Sequence, residues 1–520
     1  MTPWPRQFSN LLVMTLTSLS FLSCGGGSSA SPAVISQPNT ANPLTLTPAD
    51  VMRIVENTTQ SVNSPVIVAV VDRLGIIQAI FRTAGVAMNA TATGNFGKSE
   101  NAEELAVGLA RTAAFFSNDH APLSSRTVRF ISGIHFPPGV ANTANAALYG
   151  IENTNRGCTL STNFLPGQTV PPARSIDGTT TGLGIITGKA DDFDSQPFAV
   201  NPGGIPLFKN GSEAGGVGVV SAAGRYDIAE FAAFSGSLNS GFLPLNSLPP
   251  PGIVVIDGVS LPFADQKTQP AETSPASGTV AGTYDMGPNP NGGAAPPKGF
   301  LVGPNAGSKL TANQVNSIIM NAVATANITR AVIRLPPGLR TRMSIAVSDL
   351  DGTLLGLYRM DDGTVFSIDV AASKARNVVW FSSTPGSADL PGVPAGTAVT
   401  NRTISFGAQP FFPPGINGSA PGPFFGLYES DVANPCTQGS QTPKGVNQSG
   451  IVFFPGSTPL YINGTMVGGL GVSGDGVDQD DFVTNGGAQG FEAPASIRAD
   501  QVVIRNVRLP YFKFPRNPTD

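Results

Sequence analysis

At 520 residues the chain is long enough for more than one domain, each with its own core. Apolar residues make up 41% and charged residues only 12%, which excludes a highly charged disordered polymer, while 61 Gly and 46 Pro predict long, turn-rich loops. A formal charge of −4 provides no field to attract nucleic acid or anionic lipid.

The first element in chain order is a targeting segment. Residues 1–10 carry one positive charge, Arg6, and residues 11–22 are an apolar stretch too short to span a bilayer. Phe21-Leu22-Ser23-Cys24 resembles a bacterial lipobox, with residues 1–23 as signal peptide and Cys24 as the lipidation site. Gly25-Gly26-Gly27-Ser28-Ser29 opens a flexible tether over 24–43. Gly25 after the cysteine, in place of Asp, points to an outer-membrane anchor in a bacterial cell envelope. The competing reading is a plain secretory signal with an incidental cysteine. No later segment has the ~18 uninterrupted apolar residues of a membrane span.

The rest reads as one domain written twice, over 44–264 and 308–515. Leu46-Thr47-Pro48-Ala49-Asp50-Val51 matches Leu310-Thr311-Ala312-Asn313-Gln314-Val315; in each a Thr can cap a helix with apolar residues at helical spacing. A β-branched strand ending at Asp72 turns through Gly75 into a second strand, and its counterpart ends at Asp349 and turns at Gly352. A second helix through Ala110-Arg111 aligns with one through Ala375-Arg376. Long insertions follow, about 122–201 and 383–454, in which His135-Phe136-Pro137-Pro138-Gly139 matches Phe411-Phe412-Pro413-Pro414-Gly415. Hairpin turns coincide at Asn210-Gly211 and Asn463-Gly464, the strongest short hairpin signal. Gly215, Gly216 and Gly218 match Gly468, Gly469 and Gly471. Between the copies, a Pro/Gly-rich linker over 265–307 is expected to be extended and solvated.

The order of Leu-Thr helix, strand ending in Asp, Gly turn and Ala/Arg helix, followed by Pro459-Leu460, Asn463-Gly464 and Gly468–Gly474, is similar to the GlcG/HbpS-like (haem-binding-protein-like) family. Ser367-Ile368-Asp369-Val370-Ala371-Ala372-Ser373-Lys374-Ala375-Arg376 is the other strong match. The resemblance implies an α+β fold, an antiparallel sheet flanked by helices in profilin-like layers. It also implies frequent oligomerisation and, in some members, haem or tetrapyrrole binding. Some haem-binding relatives ligate iron through a His near the end of the first helix; the corresponding stretches here, 57–63 and 320–327, contain none.

The candidate chemistry is sparse. His120 and His135 are the two histidines, and their separation fits no metal motif; His120 reads as a helix-end residue and His135 as a loop residue or a ligand in the first copy alone. The six glycines lie in strands and not between strand and helix, so a dinucleotide loop is excluded. In this family that strand lines a ligand cleft, so Gly215, Gly216, Gly218, Gly468, Gly469, Gly471 and His135 become cleft candidates. Asp475, Asp478, Asp480 and Asp481 lack the EF-hand pattern, and Asp227 and Asp480 read as helix caps. There is no nucleophile elbow, Cys-x-x-Cys or Cys-x-x-Cys-His, so nothing points to an enzyme.

Cys158 and Cys436 fall at similar places in the two insertions. If the copies pack as a pseudo-dimer, equivalent loops meet at its axis and the cysteines can join, the alternative being two separate thiols. The reading is a lipid-anchored binding protein with a small-molecule cleft, haem-like or tetrapyrrole-like, in each copy. The rivals are a structural or interaction lipoprotein with vestigial clefts and a haem-degrading or redox enzyme.

Overall fold

The computed structural model describes residues 45–154, 158, 185, 202–243, 254–333, 338–442 and 444–520. The signal peptide, Cys24 and the whole tether lie outside them. No helix among the described residues is long and apolar enough to cross a membrane.

The first half runs α1 (Pro48–Gln60), the hairpin β1 (Val66–Asp72) and β2 (Ile77–Thr83), and a ribbon of β3 (Thr91–Thr93) and β4 (Ser99–Asn101). It continues through α2 (Ala102–Phe116), α3 (Ser125–Phe130), the hairpin β5 (Gly204–Lys209) and β6 (Ser212–Ser221), and α4 (Tyr226–Asn239). A ribbon of β7 (Val255–Ile256) and β8 (Val259–Ser260) and the strand β9 (Gly282–Met286) close it. The second half runs β10 (Gly299–Val302), α5 (Ala312–Ile328), the hairpin β11 (Ser344–Ser348) and β12 (Leu354–Arg359), and α6 (Phe366–Phe381). Short helices α7 (Thr384–Ser387), α8 (Asn401–Gly407) and α9 (Phe425–Ala433) precede the hairpin β13 (Ser457–Ile462) and β14 (Thr465–Ser473). Helix α10 (Val477–Gly487) and a ribbon of β15 (Val503–Ile504) and β16 (Val507–Arg508) end the chain.

Local chemistry explains these elements. Thr47 and Thr311 both form capping boxes, with Asp50 and Gln314, and Pro48 occupies the first turn of α1. Asn210 and Asn463 take positive φ in the two hairpin turns, as Asn-Gly turns require. β1 is buried at every position because helices cover both of its faces.

Both large sheets are antiparallel and share one strand order, β5-β6-β1-β2-β9 and β13-β14-β11-β12-β10. The outer strands β9 and β10 come from the segment expected to be a solvated linker. Tyr284 of β9 pairs with Phe81, and Gly299 of β10 pairs with Arg359, so the linker completes one sheet and then the other. Its Gly and Pro content hides strands this short from a pattern reading.

Helices α1 and α4 bury Ile54, Val55, Phe231 and Phe234 against one face of the first sheet. Helices α5 and α10 bury Ile318, Ile319 and Val483 against the corresponding face of the second. The other faces meet in a single cluster that joins Leu105, Leu109 and Phe116 of α2 to Phe366, Val370 and Ala371 of α6. Phe116 stacks on Phe366 with ring centroids 4.2 Å apart. The two halves therefore share one inner core between them.

Candidate functional site

The glycines of β6 and β14 set the spacing of this inner layer. A Cβ at Gly216 or Gly218 would overlap the carbonyl oxygens of Ala110 or Ala106 in α2; one at Gly469 or Gly471 would overlap those of Ala375 or Ala371 in α6. Gly215 and Gly468 lie as closely against the backbone oxygens of Val71 and Ser348 on the neighbouring strands. These six positions are where backbone meets backbone, and none lines any of three described cavities. The cleft role expected of them is corrected to close packing: strand glycine signals close approach, and here the approaching group is the protein itself.

The same contacts put the halves in register. Gly218 lies against Ala106 and Ala110, and Gly471 lies against Ala371 and Ala375, so Leu109 and Lys374 occupy corresponding places. Around Leu109 a cavity of about 200 Å3 opens between α2, the end of β6 and the start of α4. Leu105, Leu109 and Val219 give it apolar walls, and Arg225 and Tyr226 stand at its α4 side. Ser221 lines it, and its buried hydroxyl has no hydrogen-bond partner. Arg225 is held by Asp227, whose carboxyl that guanidinium keeps below the usual carboxylate range.

In the second half the space near Ser473, Gly474 and Asp475 shrinks to about 30 Å3. Phe116 and Leu148 from the first half and Phe454 help to close it. Lys374 enters where Leu109 stands in the other half, and its ammonium lies 2.9 Å from Asp480 Oδ2 and 2.8 Å from the Val472 carbonyl. Burial pushes the Asp480 carboxyl up to about 7 against the pull of Lys374, and burial lowers the lysine. Asp480 is thus a buried ion-pair partner and not the helix cap expected.

The other acids each have separate partners. Asp475 accepts the backbone N–H groups of Val332, Ile333 and Gly476, and Asp478 and Asp481 hold Arg402. No group of three or more metal-ligating side chains occurs among the described residues. Asp72 and Asp349 accept backbone N–H groups at their turns, as expected of turn acceptors.

The insertions meet each other. Asn142 N–H donates to Asn417 Oδ1 at 2.8 Å, and Asn417 N–H donates to Asn142 Oδ1 at 3.0 Å, a reciprocal pair of the kind found at a twofold axis. Cys158 and Cys436 form a disulfide across 278 residues of sequence. His135 is buried, with Nε2 2.8 Å from Asn417 Oδ1, so it belongs to this seam and lines none of the three cavities. His120 lies beyond the end of α2, with Nδ1 2.9 Å from Asp362 Oδ2 of the other half. Beside it the buried Glu213, in contact with Arg73, has its carboxyl raised well above the usual range by burial. The disulfide is the pairing expected of the two insertions, whereas the His120–Asp362 contact and the Lys374–Asp480 pair are not legible in a sequence where charge reads as surface.

Residues 310–489 match the family model described as haem degrading protein HbpS-like. Among solved structures, the PduOC:heme complex aligns 36% of this chain with 97% of its own, at 21% identity and a TM-score of 0.24. Klebsiella pneumoniae protein ORFY aligns 36% with 92%, at 18% identity and a TM-score of 0.23. A double mutant of Streptomyces reticuli HbpS aligns 36% with 89%, at 20% identity and a TM-score of 0.22. No curated protein matches the chain. The segment 310–489 is thus similar to HbpS-like proteins.

Proposed function

We propose that the chain is an exported, lipid-anchored, non-catalytic binding protein that takes a small molecule in the cavity of its first half. The cavity beside Leu109 carries this reading, because the unpaired buried hydroxyl of Ser221 stands in a space whose walls are part apolar, from Leu105, Leu109 and Val219, and part polar, from Thr91, Thr93, Arg225 and Tyr226. In this account the chain is a duplication in which Lys374 and Asp480 have closed the counterpart of this site in the second half. Cys24 supplies the anchor, through the lipobox-like sequence before it, and the outer membrane of a bacterial envelope is the location proposed.

The cavity beside Leu109 is too small for haem. None of the three described cavities is lined by His, Cys or Met, and about 200 Å3 is below the roughly 300–1,000 Å3 usual for drug-sized ligands. The ligand is therefore smaller than a tetrapyrrole, with an apolar body and one group that hydrogen-bonds to Ser221. A second reading, haem binding or degradation, is favoured by the description of the family matched by 310–489. Haemin titration of the mature chain, followed in the Soret band, separates the two. The expected result is no saturable shift; a saturable shift that His135→Ala abolishes would establish haem instead.

A further inference from the structure

A second cavity, of about 330 Å3, lies where the first insertion meets the second half. Its walls come from residues 144–149 of the first half and from α8, residues 453–455 and the chain end at Pro510 and Lys513, so it exists only in the joined molecule. Tyr149, Phe406 and Phe453 give it aromatic surface. Ser405 and Gln409, one helical turn apart, are each only 7% exposed and line it. Their polar side-chain atoms are not among those sealed from solvent without a partner, so they are free to bond to an occupant of the cavity.

The charges at its rim are already compensated. Arg402 is shared between Asp478 and Asp481, and Lys513 Nζ lies 2.8 Å from Asp478. A charged ligand gains no free counter-ion here and would have to break these pairs, whereas a neutral one leaves them intact. We infer that this cavity is a second ligand site, distinct from the one beside Leu109, and that it takes an uncharged aromatic-sized ring bearing an amide or hydroxyl group. The ring lies among Tyr149, Phe406 and Phe453, and the polar substituent hydrogen-bonds to Ser405 and Gln409.

The test titrates the purified mature chain with benzamide, and separately with its charged isostere benzoate, by ligand-observed NMR. Saturable benzamide binding is expected, with benzoate at least about tenfold weaker, which corresponds to the ~1.4 kcal/mol of a disfavoured charge. Gln409→Leu is expected to weaken benzamide about fivefold, the effect of one ordinary hydrogen bond. Ala147→Phe, at the half-exposed wall, is expected to abolish binding even if Gln409→Leu does not fold. Absence of saturable benzamide binding, equal binding of benzoate, or indifference to Ala147→Phe would each overturn the inference.

Discussion

The ammonium of Lys374 and the carboxylate of Asp480 lie 2.9 Å apart, fully enclosed between α6 and α10. A buried pair of this kind costs much more to break than to replace. Lys374→Met alone is expected to destabilise the chain by about 3–5 kcal/mol in urea unfolding. Lys374→Leu with Asp480→Val, which restores the apolar character seen at Leu109, is expected to come close to wild type. A single variant within about 1 kcal/mol of wild type would show that the pair carries little.

The same carboxyl gives the protein a pH signature. Asp480 sits near 7 when folded, against 3.8 for an ordinary aspartate, because burial disfavours its charge. The folded state therefore holds this proton more tightly than the unfolded state. Its contribution to stability is complete below pH 3.8 and is lost as pH rises through about 7. Asp480→Asn, which cannot ionise, should remove that downward slope between pH 4 and 7. Parallel stability profiles for the two proteins would contradict the assignment.

Close packing at the glycines predicts intolerance of any side chain. Gly218→Val and Gly471→Val must push α2 or α6 off its sheet, and each is expected to cost about 3 kcal/mol, read as a fall in Tm. Gly211→Ala, at a turn where an added Cβ meets nothing within 4 Å, is expected to cost less and to act only through its positive φ of 83°. Equal effects at Gly211 and Gly218 would count against the packing role.

The disulfide across the insertion seam makes a separate prediction. Closing a loop of this length constrains the unfolded chain, so Cys158→Ser with Cys436→Ser is expected to lose about 3–5 kcal/mol. The shared inner core should keep the two halves together in that variant. Intact-mass analysis of the unreduced mature protein should find neither thiol free to alkylate, and two reactive thiols would contradict it.

Much of the fold is legible in the sequence because local chemistry writes it. Thr47 and Thr311 announce helix starts, Asn210-Gly211 and Asn463-Gly464 announce hairpins, and the residues of β1 have the β-branched character of a strand covered on both faces. Cys158 and Cys436 stand out because each insertion holds one. What is hidden depends on tertiary placement. Gly218 reveals that something approaches closely but not that it is Ala106, and Lys374 reads as surface until Asp480 is brought beside it. Strands β9 and β10 lie in Gly- and Pro-rich sequence whose partners are far away. The cavity beside Leu109 is formed by α2, α4, β3 and β6, none of which carries a motif for it.

The most direct test of the account is native mass spectrometry of the mature chain purified gently from its producing cells, beside Leu109→Phe. The account predicts a co-purified ligand lighter than haem, at no more than one per chain in this cavity, that disappears when Leu109→Phe fills the space. A wild-type chain that carries no small ligand, or an adduct of haem mass retained in Leu109→Phe, would contradict it.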